Sequence, residues 1–225
     1  MVLDAMKVPE IQDEYNKAEL LEAVEKIGRV YLKYQVREKN HPSKGSFLVI
    51  WSRRHTGYTK WVGTSDSGII IRWALVPLFQ ATGDSSYLES ALYWHDEKER
   101  MVDTVEILPH FHMYDDDEFS ARILDETGWD PEGHAALFEL TGKNRFRESG
   151  RKYMDKHMKV FQREDGLWQR SHDWKTGDTQ ETARMVRGCG WAMEGLLAMN
   201  RMYPDSIYLD YARRMGDLLA AHQQP

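Results

Sequence analysis

Apolar residues recur at helical spacing along three stretches of this chain, and each stretch is interrupted at the same point. The stretches are "VPLFQATGDSSYLESALYWHDEKE" from Val76, "AALFELTGKNRFRESGRKYMDKHM" from Ala135 and "GLLAMNRMYPDSIYLDYARRMGDLL" from Gly195. Each has an apolar run, a short turn, an aromatic residue and a second, amphipathic run. The turns are Thr82-Gly83-Asp84, Thr141-Gly142-Lys143 and Tyr203-Pro204-Asp205. Glycine takes the left-handed geometry that ends a helix, and proline cannot continue one. Gly83 and Gly142 are 59 residues apart, and Gly142 and Pro204 are 62 apart. A period near 60 with two helices per unit predicts stacked helical hairpins.

Within each unit the first helix is the more apolar ("GIIIRWALVPLF", "GHAALFEL", "WAMEGLLAM") and the second carries charge along one side. An inner layer of buried helices and an outer layer of half-exposed ones follows. The predicted fold is all-α, an α/α toroid of about four hairpins in one domain over residues 1–225. An amphipathic helix over roughly 12–35 supplies an outer helix from a preceding unit. Residues 39–64 read as an irregular aromatic segment, and no strand-period run is long enough to predict a sheet.

Seventeen residues before each turn marker stand Asp66, Asp125 and Arg187, each where an inner helix begins. Aspartate at a helix start caps it, for about 1 kcal/mol. Charged residues at one position in three successive units instead predict two carboxylates and a guanidinium around a common mouth. Paired carboxylates suit glycosidic chemistry, and arginine suits a substrate carboxylate. The loop "REDGLWQRSHDWKTGDTQETARM" brings Trp168, Arg170, His172, Asp173 and Trp174 towards the same rim as Arg187. His110 and His112 with Asp115–Asp117 have the elements of a metal site, but an acidic run reads better as a solvated loop. Asp103 is read as structural, on an outer helix.

"MVRGCGWAMEGLL", residues 185–197, sets Gly188 and Gly190 around the only cysteine, Cys189. Two glycines in a helix start cost roughly 1 kcal/mol each relative to alanine. Close packing of this helix against its neighbours, or close approach of a ligand, is the expected compensation.

Composition narrows the function classes. The chain is 41% hydrophobic and 29% charged, with a net charge of −6 and no basic stripe, which argues against nucleic acid as partner. A single cysteine rules out an intrachain disulfide and a cysteine-based zinc site. No apolar run approaches the roughly 20 residues of a membrane helix, and the N-terminus has no secretory h-region. A cytoplasmic location with no membrane partner is expected. Eight tryptophans and eleven tyrosines supply either bulky core or platforms for sugar rings.

"VRGCGWAMEGLL" resembles the Arg-Gly-x-Gly/Ala-Trp signature of the unsaturated uronyl hydrolases, the glucuronyl and rhamnogalacturonyl enzymes of glycoside hydrolase families 88 and 105. "TSDSGIII" is similar to their Asp-x-Gly helix start, "ILDETGW…ALFELTG" to their Ile-Asp segment, and "DGLWQRSHDWKTGD" to their Asp-Gly loop. The resemblance covers roughly 60–225. It implies a six-hairpin toroid that removes unsaturated uronic acid from oligosaccharides without metal or organic cofactor. It implies Asp125 as general acid/base at the C4=C5 enol ether, Asp66 as second carboxylate, and Arg187 and Trp191 holding the sugar. Trp129, Trp168, Arg170 and His172 complete the expected substrate-binding set.

The chain departs from that pattern at several positions. Ser65 stands where a histidine is usual, Arg170 at another histidine position, Met185 at a tryptophan and Cys189 at an amide. With about 60 residues per hairpin, 225 residues make fewer than the six hairpins of a closed ring. The expectation is either a fragment or shortened gene product, or self-association that covers the exposed inner helices. A sugar epimerase, a different glycosidase of the same fold, and a catalytically silent helical-repeat protein are the alternatives. Histidines in the cavity would favour the epimerase.

Overall fold

A computed structural model describes residues 16–54, 57–63, 67–104, 111–113, 122–124, 129–169, 171–173, 176–180, 186–204 and 207–222. Helix α1 (Lys17–Tyr34) opens it, with the Asn16 side chain accepting the Ala18 N–H at 3.0 Å. Strands β1 (Phe47–Arg54) and β2 (Gly57–Gly63) form an antiparallel hairpin, and β3 (Phe111–Met113) pairs with β2. A second three-stranded antiparallel sheet joins β4 (Arg122–Leu124), β5 (Ser171–Asp173) and β6 (Thr179–Gln180). These sheets correct the expectation of an irregular 39–64 and of no sheet. Four of the six strands have only two or three residues, too few to show a period of two.

The helices follow the predicted hairpins. The first inner helix runs through α2 (Ser67–Ile70), a π-helical turn (Ile71–Leu75) and α3 (Val76–Thr82), and α4 (Ser85–Thr104) returns outside it. The next hairpin is α5 (Asp130–Thr141) and α6 (Asn144–Phe161), and the third is α7 (Val186–Met202) and α8 (Ile207–Ala221). Gly83 and Gly142 sit at φ of 72° and 67°, as the Thr-Gly turns predicted. The two turns are built alike. The Gly83 N–H donates to Phe79 O and that of Gly142 to Phe138 O, while the Thr82 and Thr141 hydroxyls donate back to Leu78 and Leu137 carbonyls, each at 2.7 Å.

Helix α5 is the middle inner helix and its first eight residues are all buried, so it has no solvent face there. Two apolar cores meet on it. Ala136 and Leu137 pack with Ile71, Leu75, Leu78, Tyr87 and Trp94, whereas Ala135 packs with Met154, Cys189, Leu196 and Met199. Helix α6 presents Phe146, Gly150, Tyr153, Met154, His157 and Phe161 inward at spacings of three or four, the amphipathic stripe of an outer helix.

A close backbone approach falls on α2 and α5 and not on Gly190. A Cβ on Gly190 would meet nothing within 4 Å, which corrects the packing expected there. A Cβ on Gly68 would lie 2.6 Å from Asp130 Cα, and one on Gly133 would lie 2.7 Å from Gly68 Cα. Backbone cannot yield as a side-chain tip can. Gly68→Ala is therefore expected to destabilise the fold by about 1–3 kcal/mol. A urea midpoint equal to wild type would show that the two helices can separate without cost.

Candidate active site

The inner-helix starts are tied together by buried polar groups. The Ser67 hydroxyl donates to the Gly63 carbonyl and so links the first turn of α2 to the end of β2. The Gly68 N–H donates to Asp130 Oδ1 at 3.0 Å, joining α2 to α5. Asp130 Oδ2 lies 2.7 Å from Lys98 Nζ of α4, and both side chains are wholly inaccessible to solvent. Complete burial pushes the Asp130 carboxyl up to about 6, against the pull of Lys98, the Gly68 N–H and Tyr153. At neutral pH it is thus a buried carboxylate facing a buried ammonium.

Beside this tie stand two tryptophans. Trp129 at the start of α5 and Trp191 in the second turn of α7 have ring centroids 4.1 Å apart, tilted by 54°. The Trp129 indole N–H donates to Glu194 Oε2 at 2.8 Å. All three side chains are half-buried.

A lattice of ion pairs crosses the same three inner helices. Arg72 pairs with Glu139 and lies 3.6 Å from Glu132, while Arg201 lies 2.5 Å from Glu132 and 2.9 Å from Glu139. Burial pushes the Glu132 carboxyl up, opposed by Arg201 and Arg72 and reinforced by the charge of Glu194. Two arginines and two glutamates therefore satisfy one another across the face.

The histidines of the helical layers are core residues. His95 and His134 approach at 3.4 Å between Nδ1 atoms, and the His157 Nδ1–H donates to the Tyr153 carbonyl at 2.9 Å. Burial lowers His95 to about 4, with the Arg145 charge adding to the effect, and lowers His157 to about 3. It holds His134 well below its ordinary value, with His95 and Lys98 contributing. All three are neutral at pH 7. These three rings are packed among core side chains, so histidine chemistry of the epimerase kind would have to use others.

Of the predicted site residues, Asp66, Asp125 and Arg170 lie outside the described residues. Arg187 occupies the first turn of α7, and its side chain is outside the description. Trp129 and Trp191 are brought together. Trp168 is not at the rim: it is 2% exposed and stacks on Phe161 at 5.7 Å, at the end of a column with His157 and Tyr153. An indole so enclosed has no face for a sugar, which corrects its assignment to substrate binding. His172 lies in β5 opposite Ile123 of β4, and β4 ends one residue before Asp125. The half-buried His172 has an Nδ1 with no hydrogen-bond partner among the described residues. His110, Asp115–Asp117 and Trp174 lie outside the described residues, and of His112 only its place in β3 is described. Asp103 lies in α4, its side chain likewise outside the description. Among the described residues, no cluster of three or more histidine, cysteine or acidic side chains is arranged to hold a metal, and no helix is long and apolar enough to cross a membrane.

Sequence reasoning missed Glu194, Asp130 and Lys98. Glu194 left one signal, a lone acid within "GWAMEGLLAM". Lys98 sits in "HDEKER", which reads as a solvated face.

No protein-family model matches the chain, and no curated protein matches it in sequence. Solved structures do match. An unsaturated glucuronyl hydrolase from Bacillus sp. GL1 aligns at a TM-score of 0.55 and 19% identity, over 68% of this chain and 44% of that one. A family 76 α-mannanase from Bacteroides thetaiotaomicron aligns at 0.66 and 14% identity, over 89% and 54%. A cellobiose 2-epimerase from Bacillus thermoamylovorans aligns at 0.65 and 11% identity, over 84% and 51%. The chain has the six-hairpin glycosidase-like, α/α-toroid fold. It spans about half the length of these structures.

Proposed function

We propose that this chain hydrolyses unsaturated uronyl oligosaccharides. The observation that carries the reading is the contact of Trp129 with Trp191, which sets an aromatic pair where two inner helices begin. Asp125 precedes Trp129 by four residues and Arg187 precedes Trp191 by four. In the sequence, a carboxylate and a guanidinium thus each stand four residues before one member of the aromatic pair. Likeness to a glucuronyl hydrolase of known structure supports the reading at the level of fold.

In this reading Asp125 delivers a proton to C4 of the enol ether and directs water to C5. The hemiketal so formed opens to a C5 ketone and a C1 hemiacetal, and collapse of the hemiacetal to an aldehyde releases the remaining oligosaccharide as an alcohol. Asp66 balances charge, and Arg187 holds the uronate carboxylate. The arginines of the described inner face are already matched by Glu132 and Glu139, so recognition of an anion falls to Arg187.

Purified protein offered lyase-generated oligosaccharides is expected to bleach the ultraviolet absorbance of their C4=C5 bond. Asp125→Asn is expected to slow this at least about 100-fold with the fold intact. A folded wild type that bleaches none of them would reject the reading. Epimerisation of a neutral disaccharide that survives Asp125→Asn and is lost in His172→Ala would favour the epimerase reading instead.

A further inference from the structure

The large apolar side chains that stay exposed, among the described residues, are not scattered over the fold. Ile27 and Val30 lie on α1, Trp73 on the first inner helix, Leu197 on α7 and Ile207 on α8. None of them lies on the middle hairpin of α5 and α6. Helix α5 packs against α2 and against α7, and its first eight residues are all buried. The first inner helix and α7 stand at the two ends of this row, with α1 and α8 beside them in the outer layer. Trp73 is 47% exposed and Leu197 41%. Both adjoin the ion-pair lattice, since Trp73 follows Arg72 and Leu197 precedes Arg201 by one helical turn. Each end of the row therefore carries exposed apolar side chains on its inner and its outer helix.

One exposed leucine needs no partner. The same arrangement at both ends of a row of three hairpins calls for one. The fold closes its ring with six hairpins, and the solved structures that share it are about twice as long as this chain. We propose that a second copy of this chain supplies the other half of the ring, with the α1 and Trp73 end of each copy seated against the α7 and α8 end of the other. An end-to-end contact closes on itself when repeated rotation completes a circle, and a half-turn does so with two copies. The same contact then occurs twice in the dimer. A two-fold axis along the ring sets all six inner helices to start at one mouth, shared by both Trp129–Trp191 pairs. The inference rests on the fold and not on the uronyl reaction.

Sedimentation equilibrium of the 225-residue chain tests the ring without reading activity. Wild type is expected at twice its chain mass of 26.4 kDa. Trp73→Arg and Leu197→Asp each place a charge in both contacts, and each is expected to weaken the dimer at least about ten-fold. Both positions are exposed in the single chain, so the helical circular dichroism of the variants should match wild type. Mixing the two variants reads the arrangement. One contact of the mixed dimer is native and the other sets opposite charges face to face. The mixture should thus dimerise at least about five-fold more tightly than either variant alone. A wild type that stays monomeric at about 100 μM, as expected if one polypeptide completes the ring, would overturn the proposal. Open polymers, or a mixture no more dimeric than its components, would overturn it too. A ring dimer that bleaches no lyase product would uphold the assembly and reject the uronyl reaction.

Discussion

Lys98→Met is expected to destabilise the protein by about 3–5 kcal/mol at neutral pH, the usual consequence of removing one partner from a buried ion pair. Asp130 would keep the Gly68 N–H but lose the ammonium 2.7 Å away, with no solvent to replace it. Methionine fills the space of the lysine stem, so the loss is electrostatic more than steric. Combined Lys98→Met and Asp130→Asn should recover much of the stability, because the asparagine oxygen can still accept from Gly68. Urea denaturation of the two single variants and the double variant measures the coupling directly. The Lys98→Met penalty should also shrink in acid. A lone buried carboxyl has its pKa raised, and its cost disappears once it is protonated in both folded and unfolded chains. Additive effects of the two substitutions would show that the pair is not coupled.

Stability is expected to fall steeply from pH 6.5 towards pH 4. His95, His134 and His157 stay neutral in the folded protein below the pH at which they charge in the unfolded chain. Unfolding therefore takes up protons in this window, and stability rises with pH across it. Asp130 has the opposite sign, since its raised carboxyl holds a proton in the folded state that the unfolded chain releases. Three uptakes against one release leave a net of about two protons near pH 5.5, or about 3 kcal/mol per pH unit. Glu132, also raised, trims this further towards its ordinary range. Thermal unfolding followed from pH 7 to 4 reads the slope, and His157→Phe should reduce it by about one proton. A midpoint independent of pH in this range would contradict the burial of these rings.

Much of the helical framework was legible in the sequence because its determinants are local. The Thr-Gly turns at Gly83 and Gly142 need left-handed backbone, which glycine supplies, and their flanking residues lie at helical spacing. The short strands were not legible: β4 and β5 exist because each finds the other, across more than forty residues. Lys98 and Asp130 look like ordinary surface charges, and only the seating of α4 against α2 and α5 buries them. The site was half legible. Trp129 and Trp191 could be named because they lie in the two segments, "ILDETGW" and "VRGCGW", that carry the family resemblance. Trp168 shares their type but faces the core, a distinction its aromatic neighbours in sequence do not make.

The π-helical turn at Ile71–Leu75 has a consequence for tracing common descent among the hairpins. Such a turn is one residue inserted into an α-helix. Everything on its N-terminal side is rotated by about 100° relative to an uninterrupted helix with the same count from the Thr-Gly turn. A duplication history reconstructed by equal spacing would pair α2 residues with the wrong azimuth on α5 and α7. Superposing the hairpins with a one-residue gap at Ile71–Leu75 restores the correspondence.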